Sequence, residues 1–219
     1  MERIDRIRLS DVLPKVFEGD ADYEERHSDI WRTKVTFDRG SLYTVDAASG
    51  TGKTSLCSFL FGIRRDYSGT IFFNDTDIRT LSVADWCDVR RRHIAYLTQE
   101  LDVFPELTAI DNVLLKNRLT DFRSESEIRD MFARLEIDNR VDVAVGRMSV
   151  GQRQRVALIR ALCQPFDFII LDEPVSHLDS RNNRLCADLA VSEAASRGAG
   201  VISTSVGNPL AMQAKLVQL

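Results

Sequence analysis

The chain has 219 residues, of which 44% are hydrophobic, 28% are charged and five are prolines, a composition typical of a globular protein. A chain of this length can bury a large core as one large domain or as a core with a subdomain. The formal net charge of -4 gives no broad basic surface, so we do not expect nucleic acid as the main ligand.

The cysteines and the N-terminus fit a cytoplasmic protein. The four cysteines are widely spaced without a C-x-x-C pair, which indicates neither a zinc site nor a disulfide framework and fits a reducing compartment. The charged N-terminus is unlike a signal peptide, and no run approaches the roughly 18 apolar residues of a membrane span. We therefore expect membrane contact only through a partner.

The N-terminal part predicts short strands and turns. Ile7–Leu9 and Lys34–Phe37 predict strands, and Asp38–Gly40 predicts a turn. The apolar run Ser41–Val45 predicts a buried strand, and Ser55–Leu60 predicts a helix. The segment between this strand and this helix is rich in glycine.

Ala47–Thr54 matches the phosphate-binding pattern G-x-x-x-x-G-K-[ST] in all but its first residue. Gly50 and Gly52 would let backbone N–H groups converge on phosphate oxygens, beside the positive end of the following helix dipole. Lys53 would reach the β- and γ-phosphates of a nucleoside triphosphate, and the Thr54 hydroxyl would ligate Mg²⁺. The alternative is a chance glycine-rich turn between a strand and a helix.

The first position of this loop is Ala47 instead of glycine. Alanine tolerates a positive φ poorly, so we expect either an adapted turn or weaker nucleotide binding. The residues of the loop predicted to bind nucleotide are Ala47, Ala48, Ser49, Gly50, Thr51, Gly52, Lys53, Thr54 and Ser55.

The middle of the chain predicts a strand, a basic turn and then helices. Gly69–Asp75 predicts a strand that ends in a turn, and Ser82 could open a helix. We interpret the basic cluster Arg90–His93 as a solvated turn before the strand Ile94–Leu97. Between residues 107 and 162 apolar side chains recur at helical spacing, which predicts an inserted helical unit.

A second motif follows the apolar run Phe166–Leu171. This run predicts a buried parallel strand that delivers Asp172 and Glu173 to the carboxyl edge of a sheet. Asp172 is placed to hold the hydration shell of Mg²⁺, and Glu173 is a candidate base for the attacking water. The alternative is an acidic turn that caps the next helix. Ala214–Leu219 predicts a last edge strand.

Further motifs resemble those of ABC ATPases in order and spacing over nearly the whole chain. Met148–Arg155 is similar to the L-S-G-G-Q signature, Gln99 looks like the Q-loop glutamine, and Ser176–Asp179 looks like the D-loop. Leu107–Val113 is close to the L-T-A-x-E-N-V stretch of the subfamily that drives lipoprotein release, macrolide-type export and cell-division complexes.

The resemblance implies an α/β fold, namely a P-loop NTPase RecA-like core with an N-terminal antiparallel β element and an inserted α-helical subdomain. Residues 1–219 would form a single ABC ATPase domain. Residues 1–100 and 164–219 would be the nucleotide-binding core, and residues 101–163 would be the helical subdomain that carries the signature.

The resemblance also implies a dimeric site for ATP and Mg²⁺. Two subunits of this family sandwich two ATP molecules head to tail, so each site joins the phosphate loop of one chain to the signature of the other. Ser149 and Gly151 would present a hydroxyl and a backbone N–H to the γ-phosphate of the other subunit, and Gln152, Asp179 and Ser205 are also predicted to bind the nucleotide. The second subunit is either a copy of this chain or a different cassette.

Two further roles come from the same resemblance. Gln99 would complete the Mg²⁺ shell and report the nucleotide state to a membrane permease docked near Leu101–Pro105. The adenine would stack on Phe17, with Tyr23 as the competitor, and either aromatic could instead be a packing residue.

Two positions besides Ala47 depart from the family pattern. Val150 replaces the first glycine of the signature, where the backbone should approach phosphate closely. Ser205 stands where the family has its switch histidine, and serine is too short and uncharged to replace an imidazole at a γ-phosphate. His177 is the nearby histidine that could substitute, although an ordinary turn residue is the simpler interpretation. Since Lys53 and Glu173 are retained, we expect ATP binding with slow hydrolysis.

The function implied is that of the ATP-binding and hydrolysing subunit of an ABC transporter, peripheral to the cytoplasmic face of the membrane. The alternative is an ATP-gated regulatory module of a membrane complex with little turnover, which the three departures favour. A translation or DNA-repair member would need tandem cassettes or a long coiled-coil insertion, and neither fits 219 residues.

Overall fold

The computed structural model describes residues 2–19 and 27–219, and the first of its two sheets is antiparallel. The strand order is β2-β1-β4-β5, with β1 (Arg6–Pro14), β2 (Lys34–Asp38), β4 (Tyr67–Phe73) and β5 (Thr76–Asp77). β1 extends beyond the predicted Ile7–Leu9 because Val12 and Leu13 are buried after a bulge that follows Ser10. The predicted N-terminal antiparallel element is confirmed.

The second sheet is parallel and supplies the edge on which the predicted site lies. Its order is β6-β7-β8-β3-β9, with β3 (Leu42–Asp46), β6 (Ile94–Leu97), β7 (Phe168–Leu171), β8 (Gly200–Ser205) and β9 (Lys215–Gln218). All of these strands point the same way, so their carboxyl ends share one edge. The loops that follow β3, β6, β7 and β8 therefore converge.

The described residues contain six α-helices: α1 (Lys53–Leu60), α2 (Val83–Asp88), α3 (Ala109–Asn117), α4 (Glu125–Arg134), α5 (Val150–Leu162) and α6 (Ser180–Ala195). A Ser, Thr or Asp side chain caps the N-terminus of each helix from α2 to α6, which satisfies a backbone N–H of the first turn. Three of them, α3 to α5, fall in the segment predicted to be helical. None of the six is long and apolar enough to cross a membrane.

Two hydrophobic cores lie on opposite faces of the parallel sheet, as the alternation along β7 illustrates. Phe168 and Ile170 belong to the core shared with α1 and the antiparallel sheet, whereas Ile169 and Leu171 belong to the core shared with α3 to α6. All four side chains are fully buried, each contributing about 1.5–3 kcal/mol to the stability of the fold. The second of these hydrophobic cores joins the parallel sheet to the helices. It therefore does not separate the predicted nucleotide-binding core from the predicted helical subdomain, residues 101–163, and that division stays a prediction.

The basic cluster Arg90–His93 is not the solvated turn that the sequence predicts. It forms part of a π-helical turn, in which the Arg90 guanidinium donates to the carbonyls of Phe61 (3.1 Å) and Gly62 (2.9 Å). His93 is largely buried, with its Nδ1 2.7 Å from a carboxylate oxygen of Asp167. The prediction is wrong for Arg90 and His93 because residues distant in sequence supply their partners.

Candidate functional site

The loop between β3 and α1 is shaped to receive phosphate. Gly50 (φ 81°) and Gly52 (φ 99°) both adopt the left-handed region that glycine enters cheaply. α1 begins at Lys53, so the backbone N–H groups of its first turn have no acceptor within the helix and remain available to an anion. Ala47 is not among the described residues with positive φ, which agrees with the first of the two expected outcomes, an adapted turn, while its effect on nucleotide binding stays a prediction.

Lys53 and Glu173 face each other across the site. The Lys53 side chain is 5% exposed, and its Nζ donates to the Ala48 carbonyl at 2.9 Å. The same Nζ lies 3.7 Å from Oε1 of Glu173. The structure therefore brings together the two residues predicted to carry the chemistry, in a geometry that holds the ammonium within the loop.

One hydroxyl fixes the two acidic residues after β7. Thr204 Oγ1 donates to Asp172 Oδ1 at 2.8 Å and accepts the backbone N–H of Glu173 at 3.1 Å. Asp172 is 1% exposed, and Glu173 has a positive φ of 50°, which is uncommon for a residue with a side chain and recurs at functional sites. The hydroxyl of Tyr96 lies 3.5 Å from Asp172, and burial raises the pKa of that phenol so that it remains a donor.

Three oxygen-bearing side chains form the predicted metal-binding group. Thr54 Oγ1 and the amide oxygen Oε1 of Gln99 lie 3.4 Å apart, and both residues are exposed. The third predicted donor, the carboxylate of Asp172, does not line the cleft and accepts hydrogen bonds from Thr204 and Tyr96, but all three side chains offer the hard oxygen donors that Mg²⁺ prefers. The residues present therefore fit this ion.

A cleft of about 400 Å³ opens above the loop. It is lined by Val16, Phe17, Ser49, Gly50, Gly52, Lys53, Thr54, Ser55, Gln99 and Glu173. Phe17 Cε2 lies 3.0 Å from the position that a Cβ on Gly52 would occupy, so its ring borders the loop as an adenine platform would. The competing aromatic, Tyr23, lies outside the described residues.

The signature segment forms the N-terminus of α5. Ser149 caps this helix, its Oγ accepting the backbone N–H of Gln152 (3.3 Å) while Gln152 Oε1 accepts the N–H of Ser149 (3.1 Å). Val150 is the first residue of the helix and is 40% exposed. A Cβ on Gly151 would meet Leu178 at 2.9 Å, so glycine lets the D-loop pack closely against the signature.

The signature and D-loop residues do not reach the cleft beside Lys53. Asp179 caps α6, and the hydrogen bond from the Asn182 N–H lowers the pKa of its carboxyl. His177 is exposed, with Nδ1 3.0 Å from Ser176 Oγ. Ser149, Gly151, Gln152, Asp179 and His177 are all absent from the cleft lining.

Comparison with known protein families shows to which family the chain belongs. A family model described as ABC transporter matches residues 31–176, which include the phosphate loop, Gln99, the signature and the acidic pair. The chain belongs to the ABC transporter family.

Several members of this family are similar to the chain over about two thirds of its length. An uncharacterized ABC transporter ATP-binding protein of Mycobacterium tuberculosis is 38% identical over 143 residues, which cover 64% of this chain and 43% of that relative. The lipoprotein-releasing system ATP-binding protein LolD of Syntrophotalea carbinolica is 34% identical over 152 residues, 68% of this chain and 67% of that relative. The macrolide export ATP-binding/permease protein MacB of a Shewanella strain is 32% identical over 152 residues, but only 23% of its length is covered.

Solved structures support the same fold. The dimeric structure of MJ0796, a bacterial ABC transporter cassette, superposes with a TM-score of 0.76 at 22% identity and covers 91% of this chain and 87% of that one. A dimeric post-hydrolysis structure of the same cassette, bound to ADP and Pi, gives a TM-score of 0.75. These likenesses confirm the predicted ABC ATPase fold, with its P-loop core.

Ser205, which the sequence comparison predicted to occupy the position of a switch histidine, does not line the cleft. It is 2% exposed, and its Oγ donates to Asp46 Oδ1 at 3.1 Å. β3 and β8 pair in register at these two residues, which places the hydroxyl beside that carboxylate. In this structure Ser205 therefore bonds to the residue that precedes the phosphate loop.

Sequence reasoning missed Thr204, Asp46 and Trp31. The indole Nε1 of Trp31 donates to the Thr51 carbonyl at 3.0 Å and so supports the loop from outside. Asp46 stands immediately before the loop, a position that could have been noticed for its charge. No sequence signal identifies Thr204 or Trp31, because their partners lie 20 or more residues away.

Proposed function

We propose that this chain is the ATP-binding and hydrolysing subunit of an ABC transporter, which couples ATP-driven closure of a dimer to a separate membrane protein. The observation that carries the proposal is the pairing of Lys53 and Glu173, 3.7 Å apart in a cleft bordered by the glycine-rich loop. The permease partner would hold the chain at the cytoplasmic face of the membrane. In the relative MacB the corresponding permease is part of the same named protein.

The residues of the cleft have separable tasks in hydrolysis. The Lys53 ammonium would exchange its contacts with Ala48 and Glu173 for the β- and γ-phosphate oxygens of ATP. Glu173 would accept a proton from water as the water oxygen bonds to the γ-phosphorus and the bond to the ADP oxygen breaks, giving ADP and phosphate. Thr54, Gln99 and Asp172 would hold Mg²⁺, which when bound offsets the negative charge of the phosphates.

The signature would complete the cleft of a second subunit. Ser149 is exposed at the start of a helix of 13 residues, where its hydroxyl proton and the N–H groups of Val150 and Gly151 would be offered to an anion, since the Gln152 N–H bonds to Ser149 Oγ. The absence of Ser149 from the cleft lining of its own chain supports a contact with a γ-phosphate bound by another cassette. That second subunit is a copy of this chain or a different cassette.

Steady-state turnover of ATP tests the proposal. Lys53→Met removes the phosphate-binding charge and should abolish measurable ATP binding and turnover. Glu173→Gln keeps the shape of the side chain but loses the base, so we expect retained ATP binding and a turnover reduced by about 10²- to 10⁴-fold. Arg118→Gln, an exposed residue outside the cleft, is the matched control and should match the wild type. Equal turnover in all four proteins would refute the proposal.

A second candidate function is an ATP-gated module with little turnover. It is favoured by Ser205, whose buried hydroxyl is engaged by Asp46 in the place where the family has a histidine. If this serine limits hydrolysis, Ser205→His should raise turnover, whereas Ser205→Ala should leave it low and unchanged. Brisk wild-type turnover with no gain in Ser205→His would contradict the slow-enzyme hypothesis.

A further inference from the structure

An exposed histidine close to the signature is held in place by a buried amide. Gln154 is 3% exposed, and its Nε2 donates a hydrogen bond to Ser176 Oγ at 3.0 Å. The same Oγ lies 3.0 Å from Nδ1 of His177. Because the serine oxygen accepts the amide proton, its own proton is directed to Nδ1, and the imidazole carries its proton on Nε2. This Nε2 has no hydrogen-bond partner in the part of the chain that the structure describes, so it is an oriented and unused donor.

Holding this ring in place has a cost in stability. The oxygen of the Gln154 amide, Oε1, is buried without a hydrogen-bond partner among the described residues, a loss of about 1–3 kcal/mol. His177 itself is exposed, so its ring adds little to the core of the fold in return. A buried polar atom left unpaired in this way calls for an explanation in function. The arrangement therefore favours a role for the imidazole over the interpretation as an ordinary turn residue.

His177 lies on the same surface as the signature. A Cβ on Gly151 would come within 3.5 Å of the His177 carbonyl oxygen. Val150, the residue between Ser149 and Gly151, lines a groove of about 320 Å³ together with His177. Neither Ser149 nor His177 lines the nucleotide cleft of its own chain. A phosphate of a second copy that approaches Ser149 would therefore approach His177 as well.

The nucleotide cleft contains no imidazole of its own. None of the three histidines lines it, and the hydroxyl proton of Ser205 goes to Asp46. His93 is largely buried, with its Nδ1 2.7 Å from a carboxylate oxygen. Among the described residues that line the cleft, Lys53 is the only cation. A γ-phosphate bound there would therefore be stabilised by a further donor that a second copy supplies.

We propose that His177 of one copy of this chain donates a hydrogen bond from Nε2 to the γ-phosphate of ATP bound by a second copy. The inference rests on the proposed function, in which the signature completes the cleft of another subunit. His177 is then a catalytic residue that acts across the interface, and Ser176 and Gln154 position its ring. The imidazole forms no covalent bond, and its donor offsets the negative charge on the γ-phosphate oxygens while water attacks the phosphorus.

Mixed dimers test whether His177 acts across the interface. Glu173→Gln serves as the inactive copy, because it should bind ATP with little turnover. In the first mixture, His177→Ala is combined with a large excess of Glu173→Gln, so the cleft with an intact base faces an intact His177. In the second mixture, wild type is combined with a large excess of the double variant Glu173→Gln/His177→Ala, so the cleft with an intact base faces alanine. We expect turnover to be about 10²- to 10³-fold lower in the second mixture, the effect typical of one transition-state donor.

ATP-dependent dimerisation gives a second measurement that needs no turnover. In the Glu173→Gln background, we expect His177→Ala to weaken dimerisation with ATP about a hundredfold in analytical ultracentrifugation, since a charge-assisted hydrogen bond contributes about tenfold at each of two sites. ADP lacks the γ-phosphate and should give no difference between the two proteins. His27→Ala replaces an exposed histidine outside the signature surface, and this matched control should leave both measurements unchanged.

The outcomes separate this inference from the ATPase proposal. Equal turnover in the two mixtures, or faster turnover in the second, would overturn the inference. Dimerisation with ATP that His177→Ala leaves unchanged, or a chain that does not dimerise with ATP, would overturn it as well. Brisk wild-type turnover combined with either result refutes the inference alone. If wild type shows no turnover, hydrolysis is refuted, and the dimerisation measurement still decides the role of His177.

Discussion

Thr204 is the residue on which the two carboxylates of the site depend. It is fully buried, and its single hydroxyl proton goes to Asp172 while its oxygen accepts the N–H of Glu173. Glu173 has a left-handed backbone conformation that costs of order 1–2 kcal/mol. The hydrogen bond from its N–H to Thr204 Oγ1 helps to offset this cost. Thr204 touches neither the phosphate loop nor the cleft, and we assign it a positioning role.

Replacing this hydroxyl should slow catalysis without weakening ATP binding. Thr204→Val leaves a buried carboxylate oxygen and a buried N–H without a partner, a loss of about 1–3 kcal/mol that corresponds to roughly a ten- to hundredfold lower kcat. Thr204→Ser keeps the hydroxyl and should restore most of the activity. The measurements are kcat, KM and the free energy of unfolding.

A purely structural role for Thr204 would give a different pattern. In that case both variants would lower stability, kcat and ATP affinity together. Thr204→Ser removes a buried methyl group, and Thr204→Val changes the packing by placing a methyl group where the hydroxyl was. Unchanged kcat in Thr204→Val would contradict the positioning role.

At the scale of single elements, α4 depends on its N-terminal cap. Glu127 accepts hydrogen bonds from the Ser124 N–H (2.9 Å), from Arg123 (2.8 Å) and from the Ser124 hydroxyl (2.8 Å). These hydrogen bonds lower the pKa of Glu127 from 4.5 to about 2, and the bond from the Ser124 N–H contributes most, followed by the bond from Arg123. The ionised carboxylate is therefore favoured in the folded chain.

The ionised cap predicts how the stability of the fold changes with pH. Because the folded-state pKa lies below the unfolded one, the stabilisation is fully present above pH 4.5 and is lost as the pH falls toward 2. Glu127→Gln retains the capping geometry but not the charge, and the site is exposed, so we expect a loss of only about 0.5–1 kcal/mol at neutral pH.

Urea unfolding of the wild type and Glu127→Gln across this pH range measures the effect. The difference in free energy of unfolding should shrink as the pH falls from 4.5 to 2 and vanish only below 2, provided that both proteins remain folded there. Asp130→Asn, an exposed carboxylate of the same helix, is the control and should show no comparable pH dependence. A Glu127→Gln difference that stays constant with pH would contradict the assignment.

At the scale of the whole molecule, a buried charge network ties the helical segment to α6. Glu193 of α6 pairs with Arg123, which precedes α4, and with Arg197 (2.8 Å) and Arg134 (3.7 Å). The Glu193 side chain is 12% exposed, so its neutralisation would leave two arginines with little access to water, Arg123 and Arg197, without this carboxylate, whereas Arg134 is 38% exposed. This network lies in a different part of the chain from the nucleotide cleft.

Glu193→Gln should therefore destabilise the fold with little effect on the nucleotide. Breaking a largely buried pair leaves an uncompensated charge, and we expect a loss of about 2–4 kcal/mol in the free energy of unfolding. Glu125→Gln breaks the exposed pair with Arg129 and should cost no more than about 0.5 kcal/mol. Chemical denaturation gives both values, and ATP affinity should match the wild type in each variant. Equal effects of the two substitutions would contradict this account.

Local patterns predicted most of the elements and the central site residues. The spacing of Gly50, Gly52, Lys53 and Thr54 is a property of one short loop, and the apolar run before Asp172 is a property of one strand. Both motifs could be identified from the sequence because binding phosphate and placing the acidic pair each require residues that are contiguous along the chain. The roles of these residues, and of Phe17, Ser149 and Asp179, in binding nucleotide remain predictions.

What required the structure were contacts between segments far apart in sequence. The pattern of Arg90–His93 looks solvated, yet Phe61, Gly62 and Asp167 provide its partners. The sequence left open whether the turn adapts to Ala47, and the structure shows that this residue avoids a positive φ.

The sequence by itself predicted the family, several of the strands, the helical segment in the middle of the chain, and the motifs of the phosphate loop and the acidic pair, because each depends on a local pattern. Only the tertiary structure decided that Thr204 holds Asp172 and Glu173 and that Ser205 bonds to Asp46. The physical reason is that strand order and helix packing set which side chains meet, and hydrogen bonds and ion pairs act only over a few ångströms.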